Sequence, residues 1–421
     1  MSKFKIAGNT TLEGEIEVAG NKNAALPILA ATVLTDQTCD LRNVPDIADV
    51  RAMLKLLKSL GKNIEKKSDN HFEIDGKIEA KKLDEKLAKK LRASILFLSG
   101  LLAREGQVEM PPPGGCVIGR RKVDTHFQVV DHFAGTVELM DNGNYFAKID
   151  NPQSGKLFLN EVSVTGTENA LIMAAAIPEE TVIYNAACEP HVADLANFLV
   201  KMGAEIDGIG TNQLVIKGSK KLSGTSHRIA PDHIEAGTFA IAAACTGGDL
   251  IIHDAIKNDL ISTIRVLKGF NVDFEFLDEK TLHVKASQLK SVTSKVQVGL
   301  WPNFPTDLMS PVIVLATQAK GATLCHDWMY ESRMYFVDKL NMMGANIIQA
   351  DPHRVIVNGP SPLKGQHLSS PDIRAGIAII IAAMIAEDES IIDRVEIVDR
   401  GYENIENRLN SLGADILRIE D

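Results

Sequence analysis

The segment from Pro111 to Phe127 reads PPPGGCVIGRRKVDTHF and places a thiol among positive charges. Cys116 follows three prolines and two glycines, and two arginines and a lysine come within the next six residues. Because neighbouring cations stabilise a thiolate relative to a thiol, this pattern is typical of a reactive cysteine. An ordinary surface loop would explain the same residues. The choice between the two interpretations depends on the rest of the chain.

Composition restricts the class of protein. A chain of 421 residues is too long for one ordinary core, which predicts two or three domains. The five cysteines never show CxxC spacing and the histidines form no HExxH pattern, so we expect no disulfide framework, no metal and no cofactor. The net charge of −10 disfavours a nucleic-acid partner. Without a membrane-length apolar run or a signal-peptide pattern, we expect a cytoplasmic protein with no membrane partner.

Six copies of one unit divide the chain. In four copies an amphipathic helix ends in a small-residue turn and runs into a strand: SLGKNI (59–64), KMGAEI (201–206), MMGANI (342–347) and SLGADI (411–416). Two weaker copies are HFAGTVE (132–138) and LKGFNVDFE (267–275). Each copy has a marker glycine, and glycine at the end of a helix predicts a cap with positive φ. The markers are Gly61, Gly135, Gly203, Gly269, Gly344 and Gly413.

The repeats predict an α/β protein with two domains of three repeats each. The sixth copy stops at ILRIED without the second strand that follows the marker strand elsewhere. The missing strand is present at the other end of the chain, where residues 3–8 read KFKIAG. This assigns residues 22–229 to a continuous domain. Residues 1–21 and 230–421 then form a discontinuous domain that the N-terminal strand completes.

Each repeat also opens with a helix that is apolar nearly all round, which predicts a buried core helix. Because related units place equivalent helix ends on the same side, we expect these N-termini to converge into a site for phosphate or carboxylate. A helix cap alone would explain Asp372. The cations oppose the helix dipole and therefore need an anionic partner. The polar residues at these helix starts are Lys22, Asn23, Arg92, Asp307, Asp372 and Arg374.

The segment PPPGGCVIGRRK is an insertion into the second repeat. The distance from the central strand to the marker glycine is 27 residues in this repeat and 19 to 22 residues in the others. Insertions on a repeat scaffold are commonly functional loops. Hinge residues at the base of this one predict that residues 111–121 form a lid. The insertion therefore favours chemistry at Cys116 over an ordinary loop.

Motifs along essentially the whole chain resemble one family. AGNKNAALP, LRASILFLSGLLAR, PPGGCVIGRRKVD, FPTDL, PDIRAG and VDRGYENIENRL are similar to motifs of UDP-N-acetylglucosamine 1-carboxyvinyltransferases, in the EPSP synthase superfamily. The resemblance implies two inside-out α/β barrel domains of three repeats each, with the active site in the cleft. It implies transfer of the enolpyruvyl group of phosphoenolpyruvate to the 3′-hydroxyl of UDP-N-acetylglucosamine, without a metal. This reaction is the first committed step of peptidoglycan synthesis.

The resemblance also implies a role for individual residues. Cys116 matches the general acid and the thiol that fosfomycin alkylates, and Asp307 matches the carboxylate that handles the proton of the sugar hydroxyl. Lys22 and Arg400 match residues that are both catalytic and phosphoenolpyruvate-binding. Asn23 and Arg121 match further phosphoenolpyruvate-binding residues. The implied contacts of UDP-N-acetylglucosamine are Arg92, Arg121, Lys122, Val123, Asp124, Thr125, Glu161, Val162, Ser163, Val164, Asp307 and Met329. Supporting residues are Arg333, Asp372 and Arg374, and we expect a monomer.

Two departures keep alternatives open. Glu161 stands where many members carry lysine, and Thr165 replaces a glycine, so the chain could belong to a divergent subgroup or a paralogue. The related transferase of the shikimate pathway lacks a loop cysteine and uses a Gly-Asn-Ala-Gly-Thr motif that is absent here. A non-catalytic paralogue would have lost Cys116, Asp307 or Arg400, and all three are present. The acidic composition disfavours an RNA-end-processing enzyme on a similar repeat fold.

Overall fold

A computed structural model describes residues 2–114 and 122–420 of the chain. Strands of the N-terminal half are β1 (Ser2–Ile6), β2 (Glu13–Glu17), β3 (Cys39–Arg42), β4 (Asn63–Ser68), β5 (His71–Asp75), β6 (Gln107–Met110), β7 (Thr136–Leu139), β8 (Tyr145–Lys148), β9 (Lys156–Phe158), β10 (Glu180–Tyr184), β11 (Glu205–Asp207), β12 (Gln213–Lys217) and β13 (Ser226–Arg228). Strands of the C-terminal half are β14 (Asp249–His253), β15 (Asp273–Phe276), β16 (Leu282–Lys285), β17 (Lys295–Gln297), β18 (Gly321–His326), β19 (Asn346–Asp351), β20 (Arg354–Gly359), β21 (His367–Ser369), β22 (Ser390–Asp393) and β23 (Ile416–Glu420).

Helices alternate with these strands. The α-helices are α1 (Lys22–Ala31), α2 (Ala48–Ser59), α3 (Glu85–Ala88), α4 (Phe97–Glu105), α5 (Asp124–His132), α6 (Val164–Ala175), α7 (Pro190–Met202), α8 (His233–Thr246), α9 (Ile261–Gly269), α10 (Met309–Gln318), α11 (Val337–Met342), α12 (Ile373–Ile385) and α13 (Ile405–Asn410). Short 3-10 helices lie at Thr32–Leu34, Arg92–Leu96, Lys257–Leu260, Thr306–Leu308 and Val395–Arg400. Among the residues described, no helix is both long and apolar enough to cross a membrane.

Each repeat forms one small sheet, and five of the six described sheets mix parallel and antiparallel strands. In the third repeat the chain runs β9, α6, β10, α7, β11 and β12, and the strand order in the sheet is β11-β12-β10-β9. Strand β9 is parallel to β10, whereas the other neighbours are antiparallel. The second repeat lacks the parallel strand among its described residues and keeps only an isolated bridge between Lys82 and Glu109. The remaining sheets are β13-β3-β5-β4, β15-β16-β14-β2, β17-β18-β20-β19 and β21-β22-β1-β23.

Three strands join sheets that are far from them in the chain. Strand β1 pairs antiparallel with both β22 and β23, and its Phe4 and Ile6 are fully buried. Strand β2 runs parallel to β14, and β13 runs parallel to β3. The alternation of apolar and charged residues in SKFKI explains why β1 packs one face on the core. Strands β2 and β13 are polar and short, and their pattern did not indicate these pairings.

The described residues divide into two compact units, one of residues 20–114 and 122–230 and one of residues 2–19 and 231–420. In the first unit α1, α4 and α6 pack against one another, and in the second α8, α10 and α12 do so. Nearly every residue of these six helices is buried. Burial of each leucine or isoleucine side chain contributes roughly 1.5–3 kcal/mol. Apolar central helices with sheets outside them therefore account for the stability of each unit.

The marker glycines adopt the predicted conformation in the four strong repeats only. Gly61, Gly203, Gly344 and Gly413 have φ between 101° and 116°. The prediction is wrong for Gly135 and Gly269, because Ala134 (φ 65°) and Asn271 (φ 58°) take the left-handed position instead. Close packing explains the glycine at 135. A Cβ atom there would lie 2.7 Å from a Val130 methyl carbon and 3.0 Å from the Lys148 carbonyl oxygen.

Candidate active site

Asp307 lies in the 3-10 turn before α10, and two arginines hold its carboxylate. Arg333 donates from Nη2 to Oδ1 at 3.2 Å. Arg374 donates from Nε to Oδ2 at 3.0 Å, and its Nη2 lies 2.9 Å from the same oxygen. The Arg333 side chain is 1% exposed and the Arg374 side chain 7%, whereas that of Asp307 is 27% exposed. The carboxylate is therefore the part of this cluster that a ligand can reach most easily.

Arg374 is fixed from several directions at the start of α12. Asp372 caps the helix, and its Oδ1 accepts the Arg374 N–H at 2.8 Å. The guanidinium donates from Nη1 to the Tyr402 hydroxyl at 3.0 Å, and that hydroxyl lies 3.0 Å from Thr238 Oγ1. Burial acts to lower the pKa of Arg374, but the charge of Asp307 together with the contributions of Tyr402 and Asp232 outweighs it, and the pKa is raised. Arg374 therefore stays charged in a buried position.

Arg333 connects Asp307 to a second buried acid. Its Nε lies 3.9 Å from Asp327 Oδ2, and its Nη1 lies 3.7 Å from Asp372 Oδ1. Asp327 is fully buried, accepts the Met329 N–H at 2.9 Å and accepts the Thr306 hydroxyl. The sequence analysis missed Asp327. Its only signal was the turn after the strand that contains Cys325, where a buried acid can hold the following N–H groups.

A neutral histidine lies at the same end of this unit. His233 is the first residue of α8, and burial lowers its pKa to about 4 although Asp259 and Asp307 act in the opposite direction. Its ring meets Trp301 edge to face at 5.9 Å. Arg400, the last residue of the 3-10 helix Val395–Arg400, is half-buried in this unit. The sequence analysis did not single out His233.

In the other unit, Lys22 begins α1 and pairs with a buried carboxylate. Asn21 caps the helix and accepts the Asn23 N–H at 2.8 Å. Lys22 Nζ lies 2.9 Å from Asp49 Oδ2, and the two side chains are 11% and 9% exposed. Asp49 therefore supplies at least part of the negative charge that a cation at a helix N-terminus requires. The sequence analysis missed Asp49, which lies in the first turn of α2 beside the buried Val50.

Arg92 and the predicted nucleotide-binding residues also lie in this unit. Arg92 Nη2 donates to the carbonyl oxygen of Lys122 at 2.6 Å. Val123 precedes α5, whose first two residues are Asp124 and Thr125. Thr125 Oγ1 donates to Glu161 Oε1 at 2.8 Å. The acid that departs from the family pattern thus binds a neighbouring hydroxyl within the same predicted site.

The buried side chain of His126 has two polar partners close to this segment. His126 Nδ1 accepts from Asn169 Nδ2 at 2.7 Å, and its Nε2 lies 3.2 Å from Thr165 Oγ1. Burial and the nearby Arg92 lower the pKa of His126 to about 3. The hydroxyl of Thr165, the second departure, therefore has a partner. The predicted contacts Val162, Ser163 and Val164 follow Glu161 directly, and Ser163 caps α6 by accepting the Gly166 N–H at 3.2 Å.

Cys116 and Arg121 lie outside the described residues. Gly114, at the edge of this gap, lies so close to Lys89 that an added Cβ would be 1.6 Å from the Lys89 carbonyl oxygen. Within one unit the structure brings together Asp307, Met329, Arg333, Asp372 and Arg374, with Arg400 in the same unit. Within the other it brings together Lys22 with Asn23, and Arg92 with residues 122–125 and 161–164.

Comparisons with known proteins agree along the whole chain. A family model described as EPSP synthase (3-phosphoshikimate 1-carboxyvinyltransferase) matches residues 6–409. A UDP-N-acetylglucosamine 1-carboxyvinyltransferase of Treponema denticola is 45% identical over 99% of both chains. The protein of that name from Bradyrhizobium diazoefficiens is 44% identical over 100% of this chain and 98% of its own.

Solved structures share the fold. The enolpyruvyl transferase NikO from Streptomyces tendae has a TM-score of 0.89 at 20% identity, covering 99% of this chain and 98% of its own. An EPSP synthase from Acinetobacter baumannii has a TM-score of 0.77 at 19% identity over the whole of both chains. These neighbours confirm the predicted fold class of two inside-out α/β barrels built from six repeats. Taken with the identity to full-length relatives, they show that the chain belongs to the UDP-N-acetylglucosamine 1-carboxyvinyltransferases, within the EPSP synthase family.

Proposed function

We propose that this transferase moves the enolpyruvyl group of phosphoenolpyruvate to the 3′-hydroxyl of UDP-N-acetylglucosamine, with release of phosphate. This would be the first committed step of peptidoglycan synthesis. Full-length identity of 45% to a protein of that name supports the proposal. The structural observation that carries it is the Asp307 carboxylate, which two buried arginines orient while its own side chain remains partly exposed. An oriented proton acceptor of this kind suits activation of a hydroxyl.

The reaction would proceed by addition and elimination. In the addition, the methylene carbon of phosphoenolpyruvate gains a proton and the sugar oxygen bonds to the adjacent carbon, giving a tetrahedral ketal. In the elimination, the carbon–oxygen bond to phosphate breaks and the new methyl group loses a proton. We assign the proton on the methylene carbon to Cys116 and acceptance of the sugar hydroxyl proton to Asp307. Arg333 and Arg374 hold the acceptor in place and neutralise its charge before substrate binds.

Phosphoenolpyruvate would be held by several cations. We assign its phosphate and carboxylate to Lys22, Arg121 and Arg400, with Asn23 beside Lys22. Charge-assisted hydrogen bonds from ammonium and guanidinium groups are the strongest polar contacts available for such an anion. The ion pair of Lys22 with Asp49 supports this role, because it holds the ammonium at the start of α1, which is the positive end of the helix dipole.

The sugar nucleotide would lie along the segment that begins α5. We assign its contacts to Arg92, residues 121–125, residues 161–164, Asp307 and Met329. The hydrogen bond between Thr125 and Glu161 supports this placement, since it joins two of the segments assigned to the sugar nucleotide.

The proposal includes an arrangement of domains and partners. The continuous domain, residues 22–229, would contribute Lys22 and the catalytic loop 111–121. The discontinuous domain, residues 1–21 and 230–421, would contribute Asp307 and Arg400. We propose a cytoplasmic monomer that uses the two substrates without a cofactor or metal and has neither a nucleic-acid nor a membrane partner. Net charge of −10 agrees with the absence of a nucleic-acid partner.

Phosphate release with two different acceptors tests the proposal. The protein is incubated with phosphoenolpyruvate and either UDP-N-acetylglucosamine or shikimate 3-phosphate, the acceptor that the description of the family model implies. We expect phosphate release only with the sugar nucleotide. Phosphate release only with shikimate 3-phosphate would show that this compound, and not the sugar nucleotide, is the acceptor. No phosphate release with either compound would refute the enzymatic assignment.

A further inference from the structure

Arg418 binds two carboxylates at once on the last strand of the chain. Its Nη1 and Nη2 donate to Asp399 Oδ2 and Oδ1 at 2.9 and 2.7 Å. Its Nε and the same Nη2 donate to Glu406 Oε1 and Oε2 at 2.6 and 3.1 Å. Both edges of the planar guanidinium are therefore occupied by bidentate pairs, a geometry that a lysine ammonium cannot reproduce.

Contacts with strand β1 fix the position of Arg418. Arg418 on β23 is the direct cross-strand partner of Phe4 on β1, which is fully buried. The guanidinium carbon lies 4.8 Å from the centroid of the Phe4 ring, which favours the cation. Hydrogen bonding to Asp399 further raises the pKa of Arg418. The charge and position of Arg418 are thus set by the β1–β23 pair and by its two acids.

Asp399 is the residue that precedes Arg400. On the other side of Arg400, Gly401 packs so closely on Ile373 that an added Cβ would lie 2.6 Å from an Ile373 methyl carbon. The next residue, Tyr402, is buried and hydrogen-bonded to Arg374 and Thr238. The backbone on the C-terminal side of Arg400 is therefore held by the core. On the N-terminal side the pair between Asp399 and Arg418 holds it, together with the fully buried Val398.

We propose that Arg418 is a positioning residue for Arg400, acting through Asp399. It anchors the end of the 3-10 helix that presents Arg400, and it keeps the Asp399 carboxylate occupied so that this acid does not compete with phosphoenolpyruvate for the neighbouring guanidinium. The inference rests on the phosphoenolpyruvate-binding role proposed above for Arg400. It goes beyond that role by naming what orients the cation.

A purely structural role for Arg418 makes a different prediction. If the pairs only tied β23 to the 3-10 helix and α13, their loss would lower the free energy of unfolding and the fraction of active enzyme. Such a loss would reduce kcat but would leave the KM for each substrate unchanged. A positioning role instead raises the KM for phosphoenolpyruvate selectively, because the misplaced cation belongs to that subsite.

The test compares three single variants, one double variant and a matched control by steady-state kinetics, with each substrate varied at saturation of the other. We expect Arg418→Gln to raise the KM for phosphoenolpyruvate about tenfold or more while the KM for UDP-N-acetylglucosamine changes less than twofold. Arg418→Lys should recover part of the loss, since it retains the charge but not the paired geometry. Asp399→Asn should raise the same KM, and adding Arg418→Gln to it should have little further effect. The control Arg354→Gln, which breaks an exposed pair with Asp351 in the same unit, should change neither KM.

Arg400→Gln separates failure of the inference from failure of the proposed role. If Arg400→Gln raises the KM for phosphoenolpyruvate while Arg418→Gln changes both KM values equally or neither, the positioning role is overturned and the role of Arg400 stands. If Arg400→Gln itself leaves that KM unchanged, the assignment of Arg400 is wrong and the inference falls with it. The Lys and Asn variants preserve charge or shape, so the comparison does not depend on the folding of Arg418→Gln alone.

Discussion

Arg374 and Asp307 are joined through two guanidinium nitrogens, Nε at 3.0 Å and Nη2 at 2.9 Å, both directed at Oδ2 of the carboxylate. The second carboxylate oxygen, Oδ1, accepts from Arg333. A carboxylate bound on both oxygens by buried cations has a fixed orientation. This is the property that a proton acceptor needs if the hydroxyl it serves is to be correctly placed.

Asp307→Asn keeps the shape of the side chain and removes its ability to accept a proton. We expect kcat to fall by about 10²-fold or more, the typical contribution of a general base. The KM for phosphoenolpyruvate should change less than threefold. Steady-state kinetics measures both, with Glu389→Gln as a control because Glu389 forms an exposed pair with Lys5 in the same unit. Turnover close to that of the unmodified protein would show that Asp307 is not the acceptor.

Lys22→Ala should weaken phosphoenolpyruvate far more than UDP-N-acetylglucosamine. The loss of one charge-assisted contact costs roughly 1.5–3 kcal/mol, which is one to two decades in Kd. Calorimetry with each ligand separately provides the measurement. The control is Lys66→Ala, which removes an exposed lysine paired with Asp69 in the same unit. An equal loss for both ligands would mean that Lys22 shapes the site and does not hold the acid.

The repeat pattern was sufficient to predict the fold because each copy contains its own helix, turn and marker strand. A marker glycine and an all-round apolar helix are local features, and they recur at nearly constant spacing. The weak copies show the limit of this approach. At residues 134 and 271 the left-handed turn falls on Ala and Asn, so a glycine marks the turn without occupying that position.

The residues that fix the site were harder to predict. Asp49 and Tyr402 lie 27 and 28 residues from their partners Lys22 and Arg374, and the folding of one repeat brings each pair together. Asp327 lies only six residues from Arg333. None of the three stands at the start of a helix that opens a repeat, where the alignment of repeats directed attention. The partner of Glu161 was likewise not predictable, since Thr125 lies in another repeat.

Acid should destabilise the protein partly through His126. Its pKa is lowered to about 3 in the folded state, compared with about 6.5 when unfolded, so the stabilisation is complete above pH 6.5 and is lost as the pH falls towards 3. Protonation at Nδ1 would also break the bond from Asn169. We expect the free energy of unfolding of His126→Gln to fall less steeply between pH 6.5 and pH 4.5 than that of the unmodified protein. Urea denaturation at each pH measures it. His253→Gln, at an exposed pair with Glu15, should keep the original slope, and the same slope in all three proteins would contradict the account.

For Glu168 we expect the opposite pH dependence of stability. This residue of α6 is buried, its Oε1 has no hydrogen-bond partner among the described residues, and burial followed by the Glu189 charge raises its pKa well above the usual value. A raised pKa means that stability is complete below about pH 4.3 and is lost as the pH rises through the folded pKa.

We therefore expect Glu168→Gln to unfold at higher urea concentration than the unmodified protein at pH 8, with the difference closing towards pH 4.5. One pKa unit corresponds to about 1.4 kcal/mol. Glu180→Gln, an exposed acid on β10, serves as the control. A variant that is less stable than the unmodified protein at pH 8 would show that Glu168 is ionised and paired in the folded state.

Product analysis in D2O tests the central claim most directly. The protein is incubated with phosphoenolpyruvate and UDP-N-acetylglucosamine in D2O, and the sugar nucleotide is examined by mass spectrometry. Addition followed by elimination predicts a sugar nucleotide that has gained one enolpyruvyl group, with deuterium in its methylene carbon, because the ketal carries a methyl group that received a solvent-derived proton. Recovery of unmodified sugar nucleotide, or of an enolpyruvyl product without deuterium, would contradict the account.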